Sequence, residues 1–421
     1  MYVFALLSAL VTLAAAFSLI SHRVLRLPTT VGVMVLSLVF STALLLLGGA
    51  LPGVHARAEA IIGHIDFSAV VLHGMLAFLL FAGAMQLNLS DLRRQKSPVA
   101  ALSIFGTVLS TVVVAVLIRL ILSVTGLELG WLPCLLFGAL ISPTDPIAVL
   151  EMLRRVGAPA SLEAQLTGES LFNDGVGAVL FLTLLASFET GRQPSAGEFS
   201  WQLLMKAGGG IGMGLGLGYL AYRLLRTVDA YRVEELLTLA LAMGGYALAD
   251  VLRLSAPLEA VAAGLVAGSV GREFAMSELT RERVDRFWEL IDDMLNVMLF
   301  LLLGLELLVM PWNRHYVYAG LLAIPIVLAA RWISVVVSLL LVRVLHRPAR
   351  GAITVLTWGG LRGGLAVALA LSMKPGVAHD RILAITYIVV IFSIVAQGLT
   401  MDRLLHRLGF AAQERAAAIA D

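Results

Sequence analysis

The stretch Leu140-Ile141-Ser142-Pro143-Thr144-Asp145-Pro146-Ile147-Ala148 sets two prolines and an aspartate inside a long apolar segment, and it decides the kind of fold this chain adopts. A proline has no amide donor, so two of them interrupt the hydrogen-bond ladder of a helix. At membrane depth, such a break is tolerated only where the freed backbone groups are buried in protein or line a watery cavity. The stretch predicts a broken membrane helix, in which Asp145 caps the second half, contributes to a polar site, or does both.

The composition agrees with a membrane protein. Of the 421 residues, 59% are hydrophobic and only 14% are charged. This composition excludes a water-soluble domain of the same length. The formal net charge of +2 gives no reason to expect nucleic acid as a partner. The single cysteine, Cys134, excludes an internal disulfide and a cysteine-based metal site.

Apolar segments of sufficient length recur along the whole chain, since a helix needs about 20 residues to cross the hydrocarbon core of a bilayer. Thirteen spanning helices are predicted, at residues 2–20, 29–48, 69–87, 98–121, 130–151, 163–187, 202–224, 234–251, 256–270, 287–310, 316–341, 351–373 and 382–403. They predict an all-α integral membrane domain over residues 1–405, followed by a short cytoplasmic tail at 406–421.

Basic residues are concentrated in alternate connections between these segments. One set of connections holds most of them, among them Arg93, Arg94, Lys96, Arg281, Arg283 and Arg286. Because cytoplasmic connections carry the excess of Lys and Arg, this set is expected inside the cell. The chain is therefore predicted to be a multi-pass protein of the cell membrane, with its N-terminus outside and its C-terminus in the cytoplasm.

The sixth predicted helix carries the polar run Glu169-Ser170-Leu171-Phe172-Asn173-Asp174-Gly175. Helical spacing puts Ser170 one turn before Asp174 and Glu169 one turn before Asn173, on one face. Carboxylate, hydroxyl and amide oxygens suit a hard cation, and a carboxylate can bind a proton at the same place. The run predicts Asp174 as a shared site for a monovalent cation and a proton, the alternative being a sealed polar packing patch.

Two arginines also lie deep in predicted helices. Arg362 stands in Trp358-Gly359-Gly360-Leu361-Arg362-Gly363-Gly364, where four glycines weaken the middle of the twelfth helix. Arg331 lies near the centre of the eleventh helix, where an ion pair that locks helices together and a direct part in the mechanism are both open.

The deep charges suggest a stoichiometry. Asp145, Glu169 and Asp174 exceed the two arginines by one negative charge, and burying an unpaired charge is costly. The site is therefore expected to hold one cation or one proton at a time, in electroneutral one-for-one exchange. This count assumes that four further acids lie nearer helix ends, namely Glu259, Asp292, Asp293 and Glu306.

The interrupted helices occupy matching positions. The fifth helix is fifth in the first group of six, and the twelfth is fifth in the group formed by helices eight to thirteen. Two broken helices in corresponding places indicate inverted repeats with a binding site at the membrane midplane. The predicted architecture is two inverted six-helix repeats joined by the seventh helix.

These motifs resemble those of the sodium/proton antiporters of the cation/proton antiporter-1 family, the bacterial relatives of eukaryotic sodium/proton exchangers. The likeness covers nearly the whole chain. It rests on Ser142–Pro146, Glu169–Gly175 and Gly360–Gly364, with support from Asn296, Phe300, Gly304 and Gln397–Thr400.

The resemblance implies a secondary active antiporter rather than an enzyme. It would exchange Na⁺, Li⁺ or K⁺ for H⁺ by alternating access, without a cofactor. The resemblance also implies a homodimer, in which a core bundle of about residues 98–187 and 351–403 moves against a dimerisation part formed by the remaining helices. Crossed broken helices, the fifth and the twelfth, would surround the site.

Roles of individual residues follow from the same resemblance. Asp174, Ser170 and Thr144 would bind Na⁺, and Asn173 would occupy the place where electrogenic relatives carry a second aspartate. Glu169 would pair with Arg362, and Asp145 would neutralise the half-helix ends at the crossing. Glu259 departs from the family pattern, which has an apolar residue there, and it is expected either to alter the outward opening or to face water.

A sodium-coupled carrier of an organic anion is the competing interpretation. It would need additional donors near the site, and Arg362 is the one available. A channel is disfavoured, since the sequence has neither a repeated carbonyl filter nor a ring of like charges. The choice among Na⁺, Li⁺ and K⁺ depends on site geometry that sequence does not specify.

Overall fold

The chain is helical throughout the part that the computed structural model describes, which comprises residues 2–47, 66–87, 89–124, 129–192, 194–271, 276–310, 313–342 and 351–410. Within these ranges there is no β-strand, and the extended backbone forms one isolated bridge between Asp145 and Leu361. The predicted all-α class is confirmed. Of the predicted tail at 406–421, residues 411–421 lie outside the described residues.

The helices are joined mostly by short connections. In chain order they are α1 (Tyr2–Ile20), α2 (Thr29–Leu47), α3 (Phe67–Gln86), α4 (Leu89–Arg94), α5 (Lys96–Ser123), α6 (Trp131–Ile141), α7 (Ile147–Arg155), α8 (Ala160–Thr190), α9 (Ala196–Leu225), α10 (Tyr231–Val251), α11 (Ala256–Val266), α12 (Glu278–Leu305), α13 (Arg314–Val342), α14 (Ala352–Trp358), α15 (Gly364–Leu371) and α16 (Val377–Arg407). One turn within each of α3, α5 and α16 is π-helical: Val70–Met75, Ala101–Gly106 and Ser393–Gln397.

Seven helices in the described ranges are long and apolar enough to cross a membrane, and they include α5, α8, α13 and α16. Two further apolar helices, Trp131–Ile141 and Ala256–Ser269, are shorter. The tenth predicted span begins earlier than expected, because α12 starts at Glu278 rather than at residue 287. Ser277 caps this start by accepting a hydrogen bond from the Thr280 amide, so the polar residues before 287 continue the helix.

The two predicted breaks meet in space. The first separates α6 from α7 at residues 142–146, and the second separates α14 from α15 at residues 359–363. The Asp145 amide donates a hydrogen bond of 2.8 Å to the Leu361 carbonyl, and the two short segments run antiparallel. The broken helices therefore cross, and four half-helix ends converge on one point.

Helix α11 packs against α3, α8, α9 and α10. Gly210, Gly214 and Gly218 of α9 lie so close to it that a Cβ on any of them would overlap atoms of α11 or of its N-cap, Ser255. A second glycine row on α9, formed by Gly208, Gly212 and Gly216, meets nothing within 4 Å. On the opposite side, Leu258 of α11 fills the space left by Gly175, the residue that follows Asp174. Close helix packing thus presses α11 against the segment that carries the predicted site.

Candidate functional site

Arg362 lies at the C-terminal end of half-helix α6. Its Nη1 donates hydrogen bonds to the carbonyls of Ser142 and Pro143, the second at 2.9 Å. The last carbonyls of a helix have no partner within the helix and carry partial negative charge. Arg362, which is 2% exposed, supplies both the donor and the positive charge.

Arg331 neutralises the C-terminal end of half-helix α14 in the same way. Its Nε and Nη2 donate to the Leu356 carbonyl at 3.1 and 2.8 Å. The guanidinium also forms a bidentate ion pair with Glu169, in which Nη2 lies 3.0 Å from Oε2. The expected pair between Glu169 and Arg362 is therefore wrong, because Arg362 is bonded to the end of α6 and Arg331 lies opposite Glu169.

Asp145 caps the half-helix that follows the first break. Its Oδ1 accepts a hydrogen bond of 3.1 Å from the Ile147 amide at the start of α7. The carboxylate also lies against Gly363, where a Cβ would overlap it, at the start of α15. Negative charge is stabilised at helix N-termini, so one aspartate serves two positive half-helix ends.

Helix α8 is bonded to the first break through three side-chain atoms. The Thr144 amide donates to Asn173 Oδ1 at 3.2 Å, and Asn173 Nδ2 donates to Thr144 Oγ1 at 2.9 Å. The Ser170 hydroxyl donates to the Thr144 carbonyl. Asn173 thus clamps the broken segment, and the Ser170 oxygen keeps its lone pairs for another partner.

Asp174 differs from these residues because no described residue donates a hydrogen bond to its carboxylate. It lines a cavity of about 730 Å³, together with Thr144, Asp145 and Ser170. Asn173, Glu169, Arg331 and Arg362 stand behind this wall and are not among the described residues that line the cavity. The structure therefore brings Asp174, Ser170, Thr144 and Asp145 to one cavity, and it places the other predicted site residues, Asn173 and Glu169, outside the cavity wall.

Further acids line the same cavity, and two of them lie elsewhere than the sequence predicts. Asp292 and Asp293 were expected near a helix end, but they lie within α12 and face the cavity with Glu289. The predicted count of deep charges is therefore incomplete. The missed signal is the spacing of residues 289, 292, 293 and 296, which puts four polar groups on one helix face.

Glu259 and Glu306 were also placed near helix ends, and both are buried, at 0% and 7% exposure. The expectation that Glu259 faces water is wrong. Its carboxylate lies against Gly245 of α10, and neither oxygen has a hydrogen-bond partner within the described part of the chain.

The chain matches known proteins over almost its whole length. The family model described as "Sodium/hydrogen exchanger, transmembrane" matches residues 8–407. The Na(+)/H(+) antiporter NhaP of Pseudomonas aeruginosa is 43% identical over 408 residues, which are 96% of this chain and 96% of the relative. The Na(+)/H(+) antiporter NhaH of Halobacillus dabanensis is 32% identical, over 95% of this chain and 97% of the relative.

A solved structure shares the fold. The sodium proton antiporter MjNhaP1 from Methanocaldococcus jannaschii, at pH 8, superposes with a TM-score of 0.74. The match covers 97% of this chain and 100% of that chain, at 19% sequence identity. At this identity the likeness concerns the fold.

Proposed function

The chain belongs to the sodium/hydrogen exchanger family, and we propose from this premise that it is a multi-pass membrane antiporter that exchanges Na⁺ for H⁺ at Asp174. The assignment of the ion-binding site rests on the surroundings of this carboxylate. Asp174 faces the cavity at the crossing of the broken helices, and no described residue donates to it. A carboxylate held in this way binds either a proton or a metal cation, and each excludes the other.

Three side chains are proposed as the Na⁺ ligands. Asp174 supplies the charge, and Ser170 and Thr144 supply neutral oxygens from the same wall of the cavity. The hydrogen bonds of Asn173 hold Thr144 in place, while Asp145, Arg331 and Arg362 neutralise the half-helix ends. These contacts keep the crossing rigid, so that binding free energy is spent on the ion rather than on ordering the site.

Transport is proposed to occur by alternating access. A core bundle of about residues 98–187 and 351–403 contains both broken helices and Asp174, and it would move against the remaining helices. The full architecture would have thirteen spans in two inverted repeats, with the N-terminus outside, the C-terminus in the cytoplasm and two copies in a homodimer. The contact of Leu258 with Gly175 is one place where the core bundle would meet the remaining helices.

Exchange is proposed to be electroneutral. Asp292 adds a carboxylate to the cavity, so the count of deep charges no longer supports this by itself. The remaining support is Asn173, a neutral side chain beside Asp174, so that this pair of adjacent residues carries one carboxylate rather than two. The competing organic-anion carrier loses its one candidate donor, since Arg362 is bonded to two carbonyls and does not line the cavity.

The test is Na⁺-driven pH change in proteoliposomes that contain an internal pH dye. We expect Asp174→Asn to abolish it, because an amide has neither the charge for Na⁺ nor a site for H⁺. The control is Asp402→Asn, which removes an acid from the exposed cytoplasmic end of α16 and should transport like wild type. Undiminished exchange in Asp174→Asn would disprove the proposed site.

A further inference from the structure

A second pair of oxygen-bearing side chains lies in the cavity, away from Asp174. Asp292 and Asn296 stand one turn apart on α12, and both line the cavity. Asn296 is 2% exposed, and its Nδ2 donates a hydrogen bond of 3.2 Å to Asp292 Oδ1. Asn296 Oδ1 has no hydrogen-bond partner among the described residues.

A buried amide oxygen without a partner is rare, because it loses its hydrogen bonds to water and gains nothing in return. Here the unpartnered oxygen belongs to the same amide group that touches a carboxylate. A half-turn of the amide would place Asn296 Oδ1 and the Asp292 carboxylate side by side. Two oxygens, one of them charged, are a partial coordination shell for a hard cation.

The charges around Asp292 also favour the binding of a cation. Asp145 and Asp293 are close enough for their charges to act on Asp292, and both are negative. Among the described lining residues, the one basic side chain is Arg154, which pairs with Glu163 at 3.5 Å and is itself mostly exposed. The inner cavity thus holds several carboxylates without a compensating protein cation.

Asp292 and Asn296 lie on a route that leads from the mouth of the cavity inward. Glu289 and Asp293 are exposed at the mouth of the cavity, while Asn296 lies one turn deeper than Asp292. From residue 289 to residue 296 a helix rises about 10 Å, so Asp292 and Asn296 lie inward of the exposed acids at the mouth. Asp145 then stands between Asp292 and Asp174 in the chain of interacting charges.

We propose that Asp292 and Asn296 form a second binding site for a partly hydrated alkali cation, which holds the ion between the mouth of the cavity and Asp174. The proposal rests on the proposed antiport function. At this site the cation keeps part of its water, because the cavity is open on one side and the protein offers two ligands. It loses that water at the narrower site formed by Asp174, Ser170 and Thr144.

A general electrostatic attraction by the acidic mouth is the competing explanation, and matched variants separate the two. Asp292→Asn and Asp293→Asn remove the same charge from adjacent positions. We expect Asp292→Asn to raise the KM for Na⁺ by about tenfold and to leave the maximal rate unchanged. A tenfold change corresponds to the loss of one favourable contact between the ion and a charged ligand, comparable in strength to a hydrogen bond. Asp293→Asn should change the KM by less than about twofold, because exposed charges are screened.

Added N-methylglucamine chloride completes this comparison. A defect at a binding site persists at high ionic strength, whereas a loss of long-range attraction disappears. The proposal is overturned if both variants shift the KM equally, or if the Asp292→Asn defect disappears in the added salt. Asn296→Leu, which removes the oxygen and keeps the branching at Cγ, should reproduce the Asp292→Asn shift, and a wild-type KM in this variant would overturn the role of Asn296.

Binding without transport separates this proposal from the proposed function. Purified protein in detergent is titrated with NaCl in a calorimeter, and choline chloride is the blank. Asp174→Asn should retain one weak Na⁺ site, and Asp174→Asn with Asp292→Asn should retain none. Loss of all binding in Asp174→Asn, or binding that survives in the double variant, would overturn the second site. Absence of Na⁺-driven pH change in wild-type proteoliposomes would instead disprove the antiport function alone.

Discussion

At the scale of single residues, the two deep arginines have different partners although both cap a half-helix. Arg362 bonds to the end of α6, and Arg331 bonds to the end of α14 and to Glu169. The question left open by the sequence, whether Arg331 locks helices together, is answered by these contacts. Arg331 of α13 joins α14 to α8 and so ties one broken helix to the helix that carries Asp174.

This ion pair predicts a large effect of removing one partner. Glu169→Gln leaves the Arg331 guanidinium buried without its counter-charge, which we expect to destabilise the protein by about 3 kcal/mol. Thermal melting of purified protein in detergent measures the change. The control is Glu151→Gln, which breaks an exposed pair with Arg155 and should cost less than about 1 kcal/mol. Equal melting of the two variants would contradict a buried pair.

At Glu259 we expect the opposite result, namely that removal of the charge is tolerated. It is fully buried and neither of its oxygens has a described partner, and an unpaired charge is costly in such a place. A neutral amide of the same shape should therefore be tolerated, so Glu259→Gln is expected to melt and to transport like wild type. Glu259→Arg, whose guanidinium stays charged even when buried, should fail to give folded protein on size-exclusion chromatography. A severe folding defect in Glu259→Gln would show that the carboxylate has an essential partner.

At the scale of helices, the two interleaved glycine rows of α9 serve different surfaces. Gly214 lies against the Glu259 carbonyl of α11, whereas Gly212 meets nothing within 4 Å. Glycines at every fourth position predict close packing for both rows alike, because periodicity does not tell which face of a helix meets a neighbour. The inner row allows α11 to approach α9, and α11 in turn presses Leu258 against Gly175 beside the site.

Alanine variants of the two rows should shift stability in opposite directions. Gly212→Ala adds a better helix former in open space and should stabilise by up to about 1 kcal/mol. Gly214→Ala places a methyl group on a backbone carbonyl and should destabilise by about 1–3 kcal/mol. The melting temperatures of the two variants and of the wild type, measured side by side, show the direction of each shift. A stabilised Gly214→Ala would mean that α9 and α11 are farther apart than described.

At the scale of the whole molecule, the broken helices and the acidic cavity form one system. The half-helix ends are neutralised by Asp145, Arg331 and Arg362, so the crossing itself needs no ion. The cavity, in contrast, contains the carboxylates of Asp174 and Asp292, which have no cationic partner among the described residues. The two arginines thus stabilise the crossing from outside the cavity, and the carboxylates inside it remain available for ions.

Electroneutral exchange is the prediction at this scale. If Na⁺ and H⁺ replace each other singly at Asp174, the transport cycle moves no net charge and a membrane potential gives it no driving force. Initial rates of Na⁺-driven pH change should therefore be equal under potassium diffusion potentials of either sign, set with valinomycin. A rate that rises with one sign of potential and falls with the other would show that the cycle moves net charge and would contradict one-for-one exchange.

The sequence alone was sufficient for the helical class, the two breaks and the placement of Ser170 beside Asp174 on one helix face, whereas Thr144 joined them only through the family resemblance. These features are local: prolines and glycines break a helix wherever it lies, and residues four apart share a face. The partner of Glu169, the burial of Glu259 and the place of Asp292 in the cavity were decided by tertiary structure. Each depends on how far a helix is rotated and shifted against its neighbours, and hydropathy does not determine either quantity. Two arginines of equal charge and similar depth look alike in sequence, and only the crossing of the broken helices distinguishes Arg331 from Arg362.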